Sequence, residues 1–470
     1  MANPEEENSG VTASSVSNTE HATTTESPSP ASTESNGARP PGGNARMAGM
    51  GMGGGMGGGG GMSLKDLRTF TSFKNSVFRL YYFAMLGQMG AMNMQMMARS
   101  FLVYYLTGSY IALGVMALAN SVPMLLFSLF GGVIADRIEK KTVLLWGQLA
   151  SAGVSLVIAI LLAIDIMTPD IPNSWWILIG ASLVQGVIMG LMMPARQAII
   201  PEIVGEEHLM NALSLNTMGM NGLRLFAPAI AGFMIAGFGY EAVYYTMTGL
   251  YIVAVIFIAL MPKTGTMKLE SRGALGDVVE GLKYVRNQHI ILMILALTLV
   301  MVLLSMPYMF LMPVFAIDIL DVGESGGGLL LSISGIGAIA GSLVLASLPN
   351  KKRGLLFLCS GIVLGIALTG FSFSSLWWSS VAMIIFVGVG QTGRMTLANT
   401  LLQYYVKDAY RGRVMSLYMM EFGLTSFGVF FTTIMAEVVG VQMAVGSLAI
   451  ALVVCSVLFL IFVPSFRKLD

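Results

Sequence analysis

The sequence predicts an all-α membrane protein: twelve transmembrane helices in two pseudo-repeated six-helix halves, behind a disordered N-terminal tail. Composition, recurring apolar runs and the placement of basic residues carry that expectation. Of 470 residues, 55% are hydrophobic and only 11% charged, whereas soluble globules carry about a quarter charged. Runs long enough to cross a hydrocarbon core of about 30 Å recur from Val77 onward. They centre near residues 92, 120, 155, 185, 222, 250, 300, 338, 365, 388, 425 and 453. A lipid-exposed backbone must satisfy its own hydrogen bonds, as a helix or a closed barrel. These runs are too long and too uniformly apolar for barrel strands.

The lysines and arginines fall in alternate connections. Lys65, Arg68, Lys74 and Arg79 precede span one, and Arg137, Lys140 and Lys141 join spans two and three. Arg196 ends span four, and Lys263, Lys268, Arg272, Lys283 and Arg286 join spans six and seven. Lys351, Lys352 and Arg353 follow span eight, Lys407, Arg411 and Arg413 follow span ten, and Arg467 and Lys468 follow span twelve. The other loops carry acids such as Asp170, Glu241, Asp318, Asp321 and Glu324. Basic loops stay on the cytoplasmic side. Both termini are therefore expected in the cytoplasm, with an even number of spans in a bacterial inner membrane.

Residues 1–46 hold almost no large apolar side chains, too few to offset the entropy of ordering, and read as disordered. Residues 47–62 (MAGMGMGGGMGGGGGM) are a Gly/Met low-complexity run in which glycine entropy opposes a helix. No basic segment followed by an apolar core marks a cleavable signal. The expected organisation is thus a tail (1–62), a six-helix half (63–262), a linker (263–289) and a second half (290–470). Within the linker, Leu275, Val278, Val279, Leu282 and Val285 follow helical spacing, which suggests a helix on the membrane surface. Val204–Leu215 (VGEEHLMNALSL) and Val406–Leu417 (VKDAYRGRVMSL) both lead from a basic connection into a span, about 200 residues apart. Repeat-built transporters place their substrate site between the repeats, near the midplane.

Other classes find no support. A net charge of +1 gives no reason to expect nucleic acid. Cys359 and Cys455 lie in apolar runs, and His21, His208 and His289 are far apart, so neither a disulfide, a metal site nor a cofactor is expected. No Ser/His/Asp set, carboxylate pair or phosphate-binding loop indicates an enzyme or self-contained ATP drive.

The sharpest motif joins spans two and three: Gly131 and Gly132, then Asp136-Arg137, then Lys140-Lys141. It resembles the loop signature of the major facilitator superfamily. The glycines permit close helix approach, and Asp136 suits the positive N-terminus of another span, near Asp408–Arg411 of span eleven. Tyr104–Ser109, Pro201-Glu202 with Asn211-Ala212, Pro228–Gly232, and Arg411–Tyr418 with its Arg413 resemble the branch of siderophore exporters and macrolide and multidrug efflux proteins. That resemblance covers about residues 75–465. It implies alternating access by two six-helix halves, coupled to proton entry, acting on a small molecule without a cofactor, as a monomer. The chain departs from drug/proton antiporters in two places. Ala227-Pro228 replaces a Gly-Pro pair, and Ser182 stands where an arginine precedes Gln185-Gly186. The counterpart of the gate loop, Gly341 to Lys351-Lys352, carries Ala346 or Ser347 in place of the aspartate.

Ionisable groups inside spans are functional candidates. Arg224 lies deep in span five, Arg394 in span ten, and Glu421 is the only acid deep in any span, which makes it the proton-carrier candidate. For each arginine a structural pairing stands as the alternative, and for Glu421 a partnership with gate-loop groups. Arg99, in the outer third of span one, either snorkels to the interface or joins the site. Gln88, Met92, Gln95 and Arg99 fall at i, i+4, i+7 and i+11, and Gln185, Met189, Met192 and Arg196 repeat that spacing. These faces are expected to line a polar cavity, with interhelical hydrogen bonding as the alternative. The 37 methionines suit a surface that repacks around varied ligands. Met47, Met50, Met52, Met56, Met62 and the run Met92–Met97 allow a minor Cu(I) reading. A transporter fold serving as a sensor or complex subunit, docked through the tail, is the remaining alternative.

Overall fold

The computed structural model describes residues 72–263, 274–349 and 351–469. The tail reading (1–62) lies outside them, as do the side chains of residues 129–137 and with them Gly131, Gly132, Asp136 and Arg137. Asn75 opens the first helix. Its side-chain oxygen accepts from the amides of Val77 (2.9 Å) and Phe78 (3.3 Å), satisfying donors that a helix start leaves free. Its Nδ2 donates to the Ile203 carbonyl at 3.0 Å, tying this start to the end of span four.

Span one is Ser76–Thr107, span two Tyr110–Arg137 and span three Lys140–Ala163. The next helical stretch, Trp176–Ala259, has 84 residues, and a straight helix of that length would reach roughly 125 Å. It folds back instead at Gly205 (φ 68°) and Gly239 (φ 83°), conformations that glycine adopts without a Cβ penalty. The outcome is span four (Trp176–Gly205), span five (206–238) and span six (240–259). A linker helix, Ala274–Arg286, follows. Span seven begins as His289–Ser305 and continues in short turns to Ile319, broken at Pro307 and Pro313, where the ladder loses an N–H. Spans eight to twelve are Gly323–Ser347, Arg353–Ser372, Trp377–Tyr405, Asp408–Val439 and Val441–Phe462.

Ten described segments are long and apolar enough to cross a membrane. One of them, His208–Ala259, has 52 residues and turns back at Gly239, so it holds two spans. Ser76–Thr107 is long enough, but its Gln88, Asn93, Gln95 and Arg99 dilute its apolar content. Twelve spans result, and every centre expected from the sequence falls within its own helix.

Spans one to three pack on spans four to six; in the other set span ten packs on eight and nine, span twelve on nine and eleven, and span eleven on seven. Two seams join these sets, span five against eight and span two against eleven. Small residues make the seams close. A Cβ on Gly328 would lie 2.5 Å from the Pro228 carbonyl oxygen, so a larger residue there forces the helices apart. The repeated segments match in burial: Val204 and Val406 are both buried, as are Ala212 and Val414.

The linker helix docks on the start of span eleven. Arg413 pairs with Glu280 at 2.9 Å, and the Tyr284 ring stacks on Tyr410 with centroids 4.1 Å apart. Val285 is buried, while Val279 and Leu282 remain exposed as an apolar face.

Candidate functional site

Three groups of polar side chains stand out within the apolar bundle. The first lies where the halves meet, near the middle of the spans. Glu421 sits 13 residues into span eleven, whose helix begins at Asp408, roughly 20 Å along its axis. It is 5% exposed and its Oε1 has no hydrogen-bond partner. Its electrostatic neighbour is Arg394, 2% exposed, whose Nε is likewise unpartnered. Arg394 also faces Tyr418 and Arg224, and Arg224 faces Tyr308. Spans five, ten and eleven thus supply two guanidiniums and one carboxylate to one region, and span seven a phenol. Pro228 lies one turn beyond Arg224 and cannot donate to the carbonyl of residue 224. The next amide, Ala229 N–H, donates to Ser332 of span eight at 3.0 Å. Gln391, one turn before Arg394, donates to the Met306 sulfur at 3.4 Å.

The second group lies within the first half. Arg99 does not snorkel. Its guanidinium turns inward and donates to Asn120 Oδ1 of span two (3.3 Å) and Ser182 Oγ of span four (3.4 Å). It faces Tyr244 and Tyr251 of span six, both fully buried with unpartnered hydroxyls. Gln88 and Gln95 of the same stripe are buried. The parallel stripe on span four behaves differently. Gln185 donates to Ser151 of span three at 3.2 Å, an interhelical bond, while its Oε1 has no partner. Asn120, Ser182, Tyr244 and Tyr251 are not found by ionisable-group reading. Tyr240, Tyr244, Met247 and Tyr251 nevertheless repeat the i, i+4, i+7, i+11 spacing.

The third group binds the ends of the bundle. Tyr104 of span one donates to Asp318, and Tyr240 donates to Glu324 at 3.2 Å, each bond joining the two halves at the acidic end. At the basic end the gate-loop lysines make bonds to groups of the first half. Buried Lys140 pairs with Glu202 at 2.6 Å. Lys141 donates to the carbonyls of Ala259 and Met261, the C-terminal end of span six, where a cation is favoured. Arg411 pairs with Asp408 at 2.6 Å in an exposed i, i+3 contact, and Arg413 holds the linker helix. Among the described residues no cluster of His, Cys, Asp and Glu has metal-binding arrangement.

A family model described as transmembrane secretion effector matches residues 67–470. The chain belongs to that family. It is a multi-pass transporter of the major facilitator superfamily. Among its relatives is the staphyloferrin A transporter of Staphylococcus aureus, 25% identical over 74% of this chain and 86% of that protein. Macrolide efflux protein A of Streptococcus pyogenes is 24% identical over 83% and 97%, and the enterobactin exporter of Citrobacter koseri 25% identical over 76% and 83%. A solved peptide transporter in complex with sulfate is similar in fold, with a TM-score of 0.66 and 14% identity, covering 84% of this chain and 96% of that one. This secretion-effector chain is therefore a transporter, as its fold and sequence agree.

Proposed function

We propose that the chain exports a small amphipathic solute, of the siderophore or drug class, by alternating access of its two six-helix halves, and that proton movement through Glu421 drives it. The observation that carries this reading is Glu421 itself: an acid deep in the spans, buried beside Arg394 at the meeting of the halves, with an unpartnered oxygen. A carboxylate in hydrocarbon is neutral unless paired. Its protonation can therefore follow access from either side as the halves rock. The named exporters among the relatives support the direction of transport. In the same reading both termini and the five basic connections are cytoplasmic, the protein works as a monomer in the inner membrane, and residues 1–62 are dispensable for flux. Asp136 at the gate loop sets the rate of switching.

Glu421→Gln keeps the shape of the protonated side chain. In proteoliposomes it should retain solute binding and exchange but lose accumulation driven by a pH gradient. Unchanged uphill transport with the same pH dependence would make Glu421 a structural residue. A wild-type protein with no saturable flux would instead favour the sensor reading.

A further inference from the structure

We infer that Arg99, Asn120, Tyr244 and Tyr251 form an oxyanion-binding subsite within the first half, and that the exported solute carries a carboxylate that it receives. The inference rests on the transporter reading above and names the chemistry of the solute.

The argument is a count of donors and acceptors. Arginine keeps its charge in proteins and has five N–H donors with no acceptor. Arg99 is half-buried, and a guanidinium drawn out of water is costly unless it is paired and hydrogen-bonded. Arg99 spends two donors on neutral oxygens at 3.3 and 3.4 Å, longer than the 2.7–2.9 Å or so of charge-assisted bonds to carboxylates. Both acceptors are already committed in orientation. Asn120 must present Oδ1 to Arg99, which turns its Nδ2 away as a donor, and that Nδ2 has no partner. Ser182 donates its own proton to the Met116 sulfur at 2.8 Å, leaving a lone pair for Arg99. The hydroxyls of Tyr244 and Tyr251 add two further unpartnered donors.

The surplus is therefore made of donors around one positive charge. Among the described residues no acid pairs with Arg99. The nearby acids of the acidic end are engaged elsewhere, Asp318 by Tyr104 and Glu324 by Tyr240. A planar carboxylate accepts from the guanidinium fork through two oxygens and retains lone pairs for the amide and the phenols. The seam cluster has the same sign of excess, two guanidiniums against one carboxylate, so an anionic solute meets favourable charge in both places.

The test measures binding, not flux, so it remains informative if transport fails. Full-length protein in lipid nanodiscs is titrated with citrate, benzoate and decanoate, each against its ethyl ester, with thermal unfolding as the readout. At least one acid should stabilise the wild type at millimolar concentration while its ester does not. Arg99→Gln should weaken that acid at least tenfold, Tyr251→Phe several-fold, and Arg99→Lys should recover part of the binding. Size-exclusion profiles and unliganded melting identify a variant that fails to fold, and Tyr251→Phe then carries the test. Esters binding as well as acids, no acid binding at all, or Arg99→Gln and Tyr251→Phe both within twofold of wild type would overturn the subsite. Chloride or sulfate binding as tightly as every carboxylate, with the same dependence on Arg99, would assign it to a free ion and overturn the assignment to the solute.

Discussion

Arg394 and Arg99 are both guanidiniums held inside the bundle, yet their surroundings differ in charge. Arg394 has the carboxyl of Glu421 as an electrostatic neighbour, and both side chains are buried. Arg99 has an amide, a hydroxyl and two phenols, none of which is stranded as a charge when it leaves. At the seam, a group of opposite charge lies beside the guanidinium. In the first half that place is left open to an arriving group. In the proposed reading, the half-buried Arg99 is left for recognition, whereas Arg394 is balanced from within the bundle.

The largest effect should come from breaking the compensated pair. Arg394→Met removes the guanidinium beside Glu421, whose carboxyl then stays protonated with its hydrogen-bonding capacity unmet, and should cost about 3 kcal/mol, read as a fall in melting temperature in detergent. Adding Glu421→Met, which leaves no unmatched polar group, should restore most of that loss. If the double variant melts no higher than Arg394→Met, the two groups are not coupled and the comparison collapses. Lys140→Met comes next, because its carboxylate partner Glu202 keeps some contact with solvent. A loss of about 1–3 kcal/mol is expected, and rescue by Glu202→Gln would attribute it to the pair. Arg99→Gln should change unliganded stability by less than about 1 kcal/mol, in either direction, since no opposite charge is abandoned. A drop as large as that of Arg394→Met would reveal a hidden anionic partner. The smallest effect belongs to Arg413 and Glu280, a half-exposed pair. A double-mutant cycle should return about 0.2–1 kcal/mol, falling further in high salt.

Much of this fold is legible in the sequence because hydrocarbon imposes one length and one composition on every span. The basic connections then set the parity. What pattern reading does not reveal is how continuous the helical chain is from Trp176 to Ala259, because the turns at Gly205 and Gly239 are made by single glycine residues with positive φ. Arg224, Arg394 and Glu421 are legible as ionisable groups among apolar ones. The Ser182 and Asn120 contacts of Arg99 are not, since they depend on the rotation of spans two and four. The same lack of register information hides Ser151 as the partner of Gln185. Lys140 and Lys141 read as gate residues from the motif, but the bonds that tie span three to spans four and six through Glu202 and the Ala259 carbonyl depend on helix rotation and are not legible there.

Lys141 and Arg413 together also define a leash. The first anchors the Met261 carbonyl to the leading half, and the second anchors Glu280, and with it the linker helix, to the trailing half. From Met261 to Ala274 is 13 peptide steps, 274 minus 261, a contour of at most about 45 Å. The linker helix is thus fastened to span eleven, and the contour of the connection sets a ceiling on how far Met261 and Ala274 can part. In the alternating-access reading proposed above, that ceiling bounds the opening of the basic ends.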